Sequence, residues 1–587
     1  MIGIILKYSN YYNKPIPENP LGLLAHLPKN EIILTIAKIN TLLQPQGYRN
    51  INTTKEIQIE CLKAIILHDE KNAPLNYVRI FQKYAERLIN LPEEYILFTR
   101  GTCLYALNEI LQSDSFLKVD KRQYLQVERF GILDYLLICN ERILKFSNEA
   151  PDEKVINQQE FNFFEFFAFN QIPFNQYSIP INTLTKLYKS IVFFKCLMKD
   201  NSIKSHLMNY FKIKYGLDDI EKFFRVFIYS FLKMYDENLK IYHLKIDNKQ
   251  KAVIKIIKGF SANTPLNIVN HNDVKTLDFL SVKKNPIFSW EPLNSDKFTG
   301  FAVLDMAFLL EKIDTFFIND FWFDYLKTHS GLNRKDWGDF IGSKFFEPLV
   351  VDIISNTFKN KQNYTVKMLD ELKITLPSKS EIEIADVYIR QKQKIACIEV
   401  KSNFINMADG YKSVTSVEEF KALDLEKFYK SFGLTQMVDT IKNFHTYKHH
   451  INDEGLNLNR KVHLYPIILV NEPILSSGLF NLPLRQQFER MLIKEDINLK
   501  SINHIIWPLV IINIEEFQEL EQSINDDDVD FFKILDSLYS KTSIQGKIGK
   551  NKYKSLLTIH SLINEKIIPD KLFPLRLKDY KWAFEKE

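Results

Sequence analysis

Apolar residues recur at helical spacing along the first part of the chain. The segments 31–43, 77–91 and 130–146 place apolar side chains three and four positions apart, which is the period of an amphipathic helix. The segment 161–170, FNFFEFFAFN, carries six Phe residues. We expect a buried helix there, because large aromatic side chains dominate cores, although an aromatic binding surface would have the same composition. We therefore predict a mainly α-helical region over residues 1–235.

Shorter apolar runs replace this pattern over residues 236–335. The segment 239–260 predicts a β-hairpin with a polar turn at Asp247–Lys251. The segment 285–327 predicts short strands followed by one or two amphipathic helices. We interpret this part of the chain as an α+β bridging region.

Helical and strand-like patterns alternate over residues 336–520. The sequence predicts a helix, three strands, a helix and a further strand, followed by another apolar run, at 338–358, 364–372, the two halves of 381–402, 428–447, 462–470 and 507–514. This αβββαβ order is typical of an α/β domain with a central mixed sheet. Residues 521–587 predict a small helical C-terminal region that is basic, since five lysines and no acid lie between Lys541 and Lys554. The chain is thus predicted to be multidomain, with a helical N-terminal half, an α/β core and a helical tail.

The composition is that of an ordinary globular protein, with 45% hydrophobic and 25% charged residues. A net charge of +5 is small for 587 residues, so any nucleic-acid-binding surface has to be local. The five cysteines form no CxxC pair, which argues against a disulfide framework or a structural zinc site. No apolar stretch approaches the length of a membrane span, and the N-terminus lacks the basic region of a signal peptide. We therefore expect a cytoplasmic protein with no membrane partner.

The segment 381–402, EIEIADVYIRQKQKIACIEVKS, carries the most specific chemistry of the chain. It predicts a hairpin whose turn is centred on Lys392 and Gln393, and this register places Asp386 opposite Glu399. Directly opposed side chains have Cβ atoms about 4.5–5.5 Å apart, so two carboxylates there repel each other unless a cation bridges them. Lys401 shares the face of Glu399, because strand side chains alternate with period 2.

Acid-x-Lys triplets occur elsewhere in the chain, at 247–249, 371–373 and 419–421. None of these triplets has an acid at the opposed position of a neighbouring apolar strand, which distinguishes Glu399-Val400-Lys401 from them. The alternative interpretation is an ordinary hairpin with charged residues at its exposed end. Charges are normally kept off continuous apolar strands unless they are paired or coordinated, so we favour a metal-hydrolysis constellation.

Asp386, followed after twelve residues by Glu399-Val400-Lys401, resembles the PD-(D/E)XK nuclease superfamily. The resemblance covers roughly residues 336–520 and departs from the pattern in having Ala385, not Pro, before the Asp. It implies a restriction-endonuclease-like core in which Asp386, Glu399 and the Val400 carbonyl bind Mg²⁺ or Mn²⁺. It also implies that Lys401 orients and activates the attacking water and stabilises charge on the phosphate.

The resemblance adds two residues outside the hairpin. Glu347, on the helix before the first core strand, would be a further metal ligand. Gln436, on the helix after Lys401, corresponds to a residue of the RecB-like branch that supports the site and contacts the phosphate backbone. A surface glutamate and a helix-face glutamine are the plain alternatives for these two residues.

These features predict a Mg²⁺-dependent DNA endonuclease whose helical N-terminal region recognises a substrate, a partner or a trigger. No GxxxxGK[ST] sequence occurs, so a built-in ATPase is not expected. By analogy with bacterial anti-phage effectors that join a nuclease to a helical module, we expect a role in antiviral defence. An operon-encoded protein partner or a homodimer is the expected assembly. The alternatives are a non-catalytic nucleic-acid-binding or scaffold protein with a vestigial nuclease fold, and an RNase of the same fold.

Phosphate contacts supply most non-specific nucleic-acid affinity, so lysines in the predicted nuclease domain and in the tail are candidates for binding the nucleic-acid backbone. Each of them has a solubilising surface role as its alternative. The candidate nucleic-acid-binding residues are Lys412, Lys430, Lys547, Lys550 and Lys552.

Overall fold

The structure of the chain, a computed structural model, divides into two compact units. It describes residues 4–44, 54–67, 73–92, 95–113, 130–148, 163–175, 183–232, 242–262, 279–290, 297–375, 381–405, 409–412, 414, 416–451 and 453–542. The first unit comprises the described residues within Met1–Ala150 and Leu197–Gly331, and the second those within Pro151–Cys196 and Leu332–Asp579. The second unit therefore contains residues 151–196 in addition to the region predicted as an α/β domain.

Helices dominate the N-terminal part of the first unit. The three helices predicted from apolar spacing are confirmed as Lys29–Leu43, Leu75–Ile89 and Phe130–Asn148. The other helices before residue 235 that belong to this unit are Tyr8–Tyr12, the 3₁₀-helix Pro20–Leu24, Lys55–Ile66, Arg100–Gln112, Asn201–Lys214 and Ile220–Phe227, which continues as a π-helix over Ile228–Leu232. Strands β1 (Ile4–Ile5) and β2 (Tyr95–Ile96) pair in parallel.

The hairpin predicted at 239–260 is wrong. Strand β3 (His243–Asp247) is followed by a helix, Lys251–Lys258, instead of a second strand. The β-branched residues of this segment favour a strand, but strand propensity depends strongly on context. As a helix, the segment buries Ile256 and Ile257 completely. The partner of β3 is β5 (Phe298–Val303), which also pairs with β4 (Ile287–Trp290), giving the antiparallel order β3-β5-β4.

The strands and helices predicted within 285–327 are confirmed. After β5 the chain forms the helices Met306–Leu310, Glu311–Ile313 (3₁₀), Thr315–Phe321, Trp322–Leu326 (π) and Lys327–His329, and the helix Leu280–Lys284 precedes β4. Buried charges join these helices: Lys312 Nζ lies 2.6 Å from Asp320 Oδ2, and Lys214 Nζ lies 3.6 Å from the same oxygen. In the part of the chain that the structure describes, no helix has the length and apolar character needed to cross a membrane.

A six-stranded mixed sheet forms the centre of the second unit. Its strands are β6 (Thr365–Met368), β9 (Val387–Gln391), β10 (Lys394–Lys401), β11 (Val462–Val470), β12 (His504–Ile506) and β13 (Val510–Asn513). The order is β12-β11-β10-β9-β6, and β13 also pairs with β11. Pairing is antiparallel on the β6-β9-β10 side and parallel between β10 and β11 and beyond. A helical region together with an α/β domain on a mixed sheet, as predicted, is therefore confirmed.

Helices surround this sheet. They are Phe163–Asn175, Thr183–Lys199 (which contains the division at Cys196), Arg334–Asp339, Phe340–Phe346 (π), Glu347–Phe358, Val417–Lys421, Leu425–Ser431, Leu434–Tyr447, Gly478–Lys494, Ile514–Asn525 and Phe531–Thr542, with short 3₁₀ turns at Leu369–Leu372, Lys448–His450 and Pro473–Ser476. From Phe163 onward the Phe-rich segment forms the helix that we predicted, and it buries Phe166 and Phe169 while Phe167 is exposed. Phe169 makes an edge-to-face contact with Phe428 at 4.8 Å between ring centroids, and Phe166 makes one with Phe420 at 5.7 Å.

Three predicted elements of this unit differ from the structure: two are interrupted and one is shorter. The strand predicted at 381–390 is split into β8 (Glu381–Glu383), which pairs with β7 (Lys373–Thr375) in a separate two-stranded sheet, and β9. The helix predicted at 428–447 is split at Gly433, where φ is +81°. The strand predicted at 364–372 ends at Met368. All three differences lie next to the predicted site and change how its residues are presented.

Candidate functional site

The β9–β10 hairpin has the register that the sequence predicts. Lys394 pairs with Gln391, and Ile398 pairs with Val387. Lys392, in the turn, adopts a positive φ of 55°, as tight two-residue hairpin turns require. The ladder ends at Val387, so Asp386 lies one residue before β9 and Glu399 one residue beyond the last pair. The two acids are therefore at the open end of the hairpin.

Asp386 is held by the backbone of the opposite strand. Its Oδ2 accepts a hydrogen bond of 2.6 Å from the Val400 N–H. This bond fixes the carboxylate of Asp386 beside the strand position that carries Glu399. The side chain of Asp386 is partly exposed.

Glu399 is almost completely buried, with 1% of its surface exposed. Its Oε1 accepts a hydrogen bond from the Thr440 hydroxyl. Its Oε2 is buried and has no hydrogen-bond donor among the described residues, and Lys401 Nζ lies 3.7 Å from it. Burial, then the negative charge of Asp386 and a hydrogen bond with its side chain, raise the pKa of Glu399 to about 8, although Lys401 and Thr440 act in the opposite direction. The site thus combines two neighbouring acids with a buried oxygen that has no donor.

Lys401 is positioned by the helix that follows. Its Nζ donates a hydrogen bond of 2.5 Å to Gln436 Oε1. Gly433, just before the helix Leu434–Tyr447, lets the backbone pass close to the lysine stem, since a Cβ atom at this position would lie only 2.6 Å from Lys401 Cε. The break at Gly433 therefore has a packing reason: any larger residue would displace Lys401.

Glu347 lies near the same acids, as the sequence predicts. It begins the helix Glu347–Phe358, directly after the π-helical turn Phe340–Phe346. Burial raises the pKa of Glu347, the charge of Asp386 raises it further, and Lys401 lowers it. Single π-turns inside helices are frequent at functional sites. The structure thus brings all five side chains predicted for the site into one neighbourhood.

Sequence reasoning missed two further residues here. Glu383, on β8, has its pKa raised by burial and then by Asp386, and it was not found because no glycine or proline marks the break between β8 and β9. Thr440 lies four positions after Gln436, and residues at that spacing share a helix face. That spacing could have identified Thr440.

The donor set is suited to a hard divalent cation. No cluster of three or more His, Cys, Asp or Glu side chains in the described parts of the chain is arranged to hold a metal ion. Mg²⁺, however, usually binds through one or two carboxylates and completes its octahedron with waters and substrate phosphates. The two acids Asp386 and Glu399 meet this requirement, and the buried Glu399 Oε2 without a donor is the observation that fits a cation.

The candidate nucleic-acid-binding lysines have different environments. Lys412 Nζ lies 3.7 Å from Glu472 Oε2, an oxygen that also accepts the Ile405 N–H at 3.1 Å. Lys430 is exposed on the helix Leu425–Ser431. The three tail residues Lys547, Lys550 and Lys552 lie outside the described residues.

The chain matches no protein-family model, no curated protein and no solved structure.

Proposed function

We propose that this chain is a divalent-metal-dependent nuclease that hydrolyses phosphodiester bonds, with DNA as its substrate. The observation that carries the proposal is the pair Asp386 and Glu399 at the open end of one hairpin, with Lys401 beside Glu399. The αβββαβ order around a mixed sheet supports the resemblance to the restriction-endonuclease-like core of the PD-(D/E)XK superfamily. That resemblance is also what favours DNA over RNA.

Asp386, Glu399 and the Val400 carbonyl would hold Mg²⁺ or Mn²⁺, with Glu347 nearby. A bound ion of this kind polarises a phosphoryl oxygen and lowers the pKa of a coordinated water. The remaining chemistry comes from the side chains. Lys401 is a cation 3.7 Å from Glu399 Oε2, so it is positioned to orient a water molecule and to stabilise negative charge that develops on the phosphate.

Gln436 has a supporting role. Its Oε1 accepts the hydrogen bond from Lys401, which fixes the rotation of the amide. The Nε2 group, a donor with two hydrogens, is then what Gln436 offers to a phosphate oxygen of the substrate. We propose that Gln436 contacts Lys401 through Oε1 and a phosphate of the nucleic acid through Nε2, and so holds the lysine and the substrate backbone in a fixed relation.

The test is a cleavage assay with the purified full chain. Supercoiled DNA, linear DNA and a matched RNA are each incubated with Mg²⁺, with Mn²⁺ or with EDTA. We expect metal-dependent cleavage of DNA that is abolished in Asp386→Asn, Glu399→Gln and Lys401→Ala. Glu426→Gln, which changes an exposed acid on the helix Leu425–Ser431, is the control and should cleave normally.

Each outcome separates the proposal from its rivals. Cleavage of RNA alone would assign an RNase of the same fold. Nucleic-acid binding without cleavage under any metal condition would assign a non-catalytic binding protein. Cleavage that persists in Asp386→Asn and Glu399→Gln, with both variants folded, would place the chemistry elsewhere in the chain.

A further inference from the structure

Thr440 makes a hydrogen bond to Glu399 to which the proposed function has so far assigned no role. It lies on the helix Leu434–Tyr447, is 3% exposed, and donates its hydroxyl proton to Glu399 Oε1. Glu399 is 1% exposed. A hydrogen bond between two groups this deeply buried fixes the rotation of the carboxylate, because neither partner can exchange the other for bulk water.

Helical threonines normally direct this proton to their own helix. Thr357 donates to the Ile353 carbonyl at 2.7 Å, and Thr446 donates to the Lys442 carbonyl at 3.0 Å, both four residues back. A hydroxyl has one proton to donate. Thr440 gives its proton to a strand residue instead, so its side chain serves Glu399 and not the helix backbone.

The same helix face holds both functional residues of β10. Gln436 accepts the hydrogen bond from Lys401 at 2.5 Å, and Thr440, one helical turn later, donates to Glu399. Residues four apart on a helix are neighbours on its surface, as are residues two apart on one face of a strand. The helix is anchored beside these contacts by Met437 and Ile441, which are fully buried. One helical turn, from Gln436 to Thr440, therefore contacts two same-face residues of β10, Lys401 and Glu399.

We propose that Thr440 is a positioning residue for the metal ligand Glu399, an inference that rests on the proposed function. By occupying Oε1, Thr440 leaves Oε2 on the side of Lys401, at 3.7 Å from its Nζ, as the oxygen that binds the cation. Glu399 then acts as a ligand through one oxygen. Partners that orient metal ligands in this way typically contribute about ten- to hundredfold in metal affinity.

The test measures Mn²⁺ binding by titration calorimetry, with no nucleic acid present. Thr440→Val removes the hydroxyl at nearly constant volume, and we expect Mn²⁺ affinity to fall about ten- to hundredfold. Thr440→Ser keeps the hydroxyl and should restore most of the affinity. Thr357→Val is the matched control, since it removes an equally buried hydroxyl that serves only a carbonyl of its own helix; its Mn²⁺ affinity should equal that of the wild type.

The outcomes distinguish this inference from the function on which it rests. A wild-type chain that binds no Mn²⁺ overturns both. A wild-type chain that binds Mn²⁺ while Thr440→Val binds it equally well overturns the role of Thr440 and leaves the nuclease proposal standing. If Thr440→Val does not fold, Thr440→Ala is compared with Thr440→Ser: weaker Mn²⁺ binding by the alanine variant supports the inference, and equal binding refutes it.

Discussion

Gly433 gives the sharpest test of how Lys401 is positioned. Its φ of +81° lies in the left-handed region, and a Cβ atom added there would lie 2.6 Å from Lys401 Cε. An alanine in this region costs about 1–2 kcal/mol. The lysine stem also has to retreat by about 0.8 Å, the difference between 2.6 Å and the 3.4 Å at which ordinary van der Waals contact begins. We therefore predict that Gly433→Ala loses both stability and activity.

The loss of activity follows from the shift of Lys401. Its Nζ lies 2.5 Å from Gln436 Oε1, and a retreat of this size along the bond would lengthen it to about 3.3 Å, just beyond the normal limit of about 3.2 Å. A misplacement of about 1 Å at a catalytic centre can cost about a hundredfold in rate. We expect the kcat/KM of DNA cleavage to fall by about this factor.

Gly410→Ala is the matched control for this prediction. Its φ of +78° imposes the same backbone strain, but the nearest atom to an added Cβ, Leu423 Cδ2, is 3.7 Å away. Urea unfolding should give both variants a similar loss of about 1–2 kcal/mol, while only Gly433→Ala loses cleavage. If both variants cleave DNA at the wild-type rate after the same loss of stability, Gly433 does not set the position of Lys401 and the reasoning is refuted.

Three further predictions concern stability. Mn²⁺ at about 100 times its Kd should raise the free energy of unfolding of the wild type by about 2.7 kcal/mol, and EDTA should reverse this effect. The free energy of unfolding of Glu399→Gln should not change when Mn²⁺ is added. Equal stabilisation of both proteins would exclude Glu399 as the Mn²⁺ ligand. Burial raises the pKa of Asp320, but the charges of Lys312, Lys214 and Lys284 outweigh burial and lower this pKa to about 2. The stability that Asp320 contributes is therefore present above its unfolded pKa of 3.8 and is lost as the pH falls from 3.8 towards 2. In Asp320→Asn the urea midpoint should no longer change over this pH range, and the free energy of unfolding at pH 7 should fall by about 3–5 kcal/mol. Tyr429→Phe removes the hydroxyl that donates a hydrogen bond to the buried Glu165. This change should lower the free energy of unfolding in urea by about 1–3 kcal/mol. Phe428→Tyr, at the adjacent position, leaves this hydrogen bond in place, so any loss of stability in that variant has another cause.

The local features of the site could be predicted from the sequence. A two-residue turn fixes the register of its hairpin, so the pairing of Lys394 with Gln391 follows from the position of the turn alone. The αβββαβ order follows from apolar periodicity in the same way. The break at Gly433 had a local signal as well, since a glycine within a helical pattern weakens it.

Strand pairings and packing contacts that local propensity does not specify account for what the sequence did not predict. The run EIEIADVYIR contains no glycine or proline that would mark a break, yet β8 pairs with β7 and not with β10. The segment 251–258 forms a helix because the partner of β3 is β5, about fifty residues later in the chain. Residues 151–196 carry no local mark that assigns them to the second unit. For 251–258 and 151–196 the decisive contacts are distant in sequence, and they outweigh local propensity.

The position of the Phe-rich helix has a consequence for biosynthesis. Glu165 on this helix and its partner Tyr429 are separated by 264 residues, and Phe169 packs against Phe428 and Phe480. At about 5–20 residues per second, a ribosome would need roughly 13–50 seconds after making the helix to complete its binding surface. During that interval Phe169 lacks these two aromatic partners. For the same reason, a truncation that begins at residue 332 would lack this helix and expose the aromatic surface that it covers.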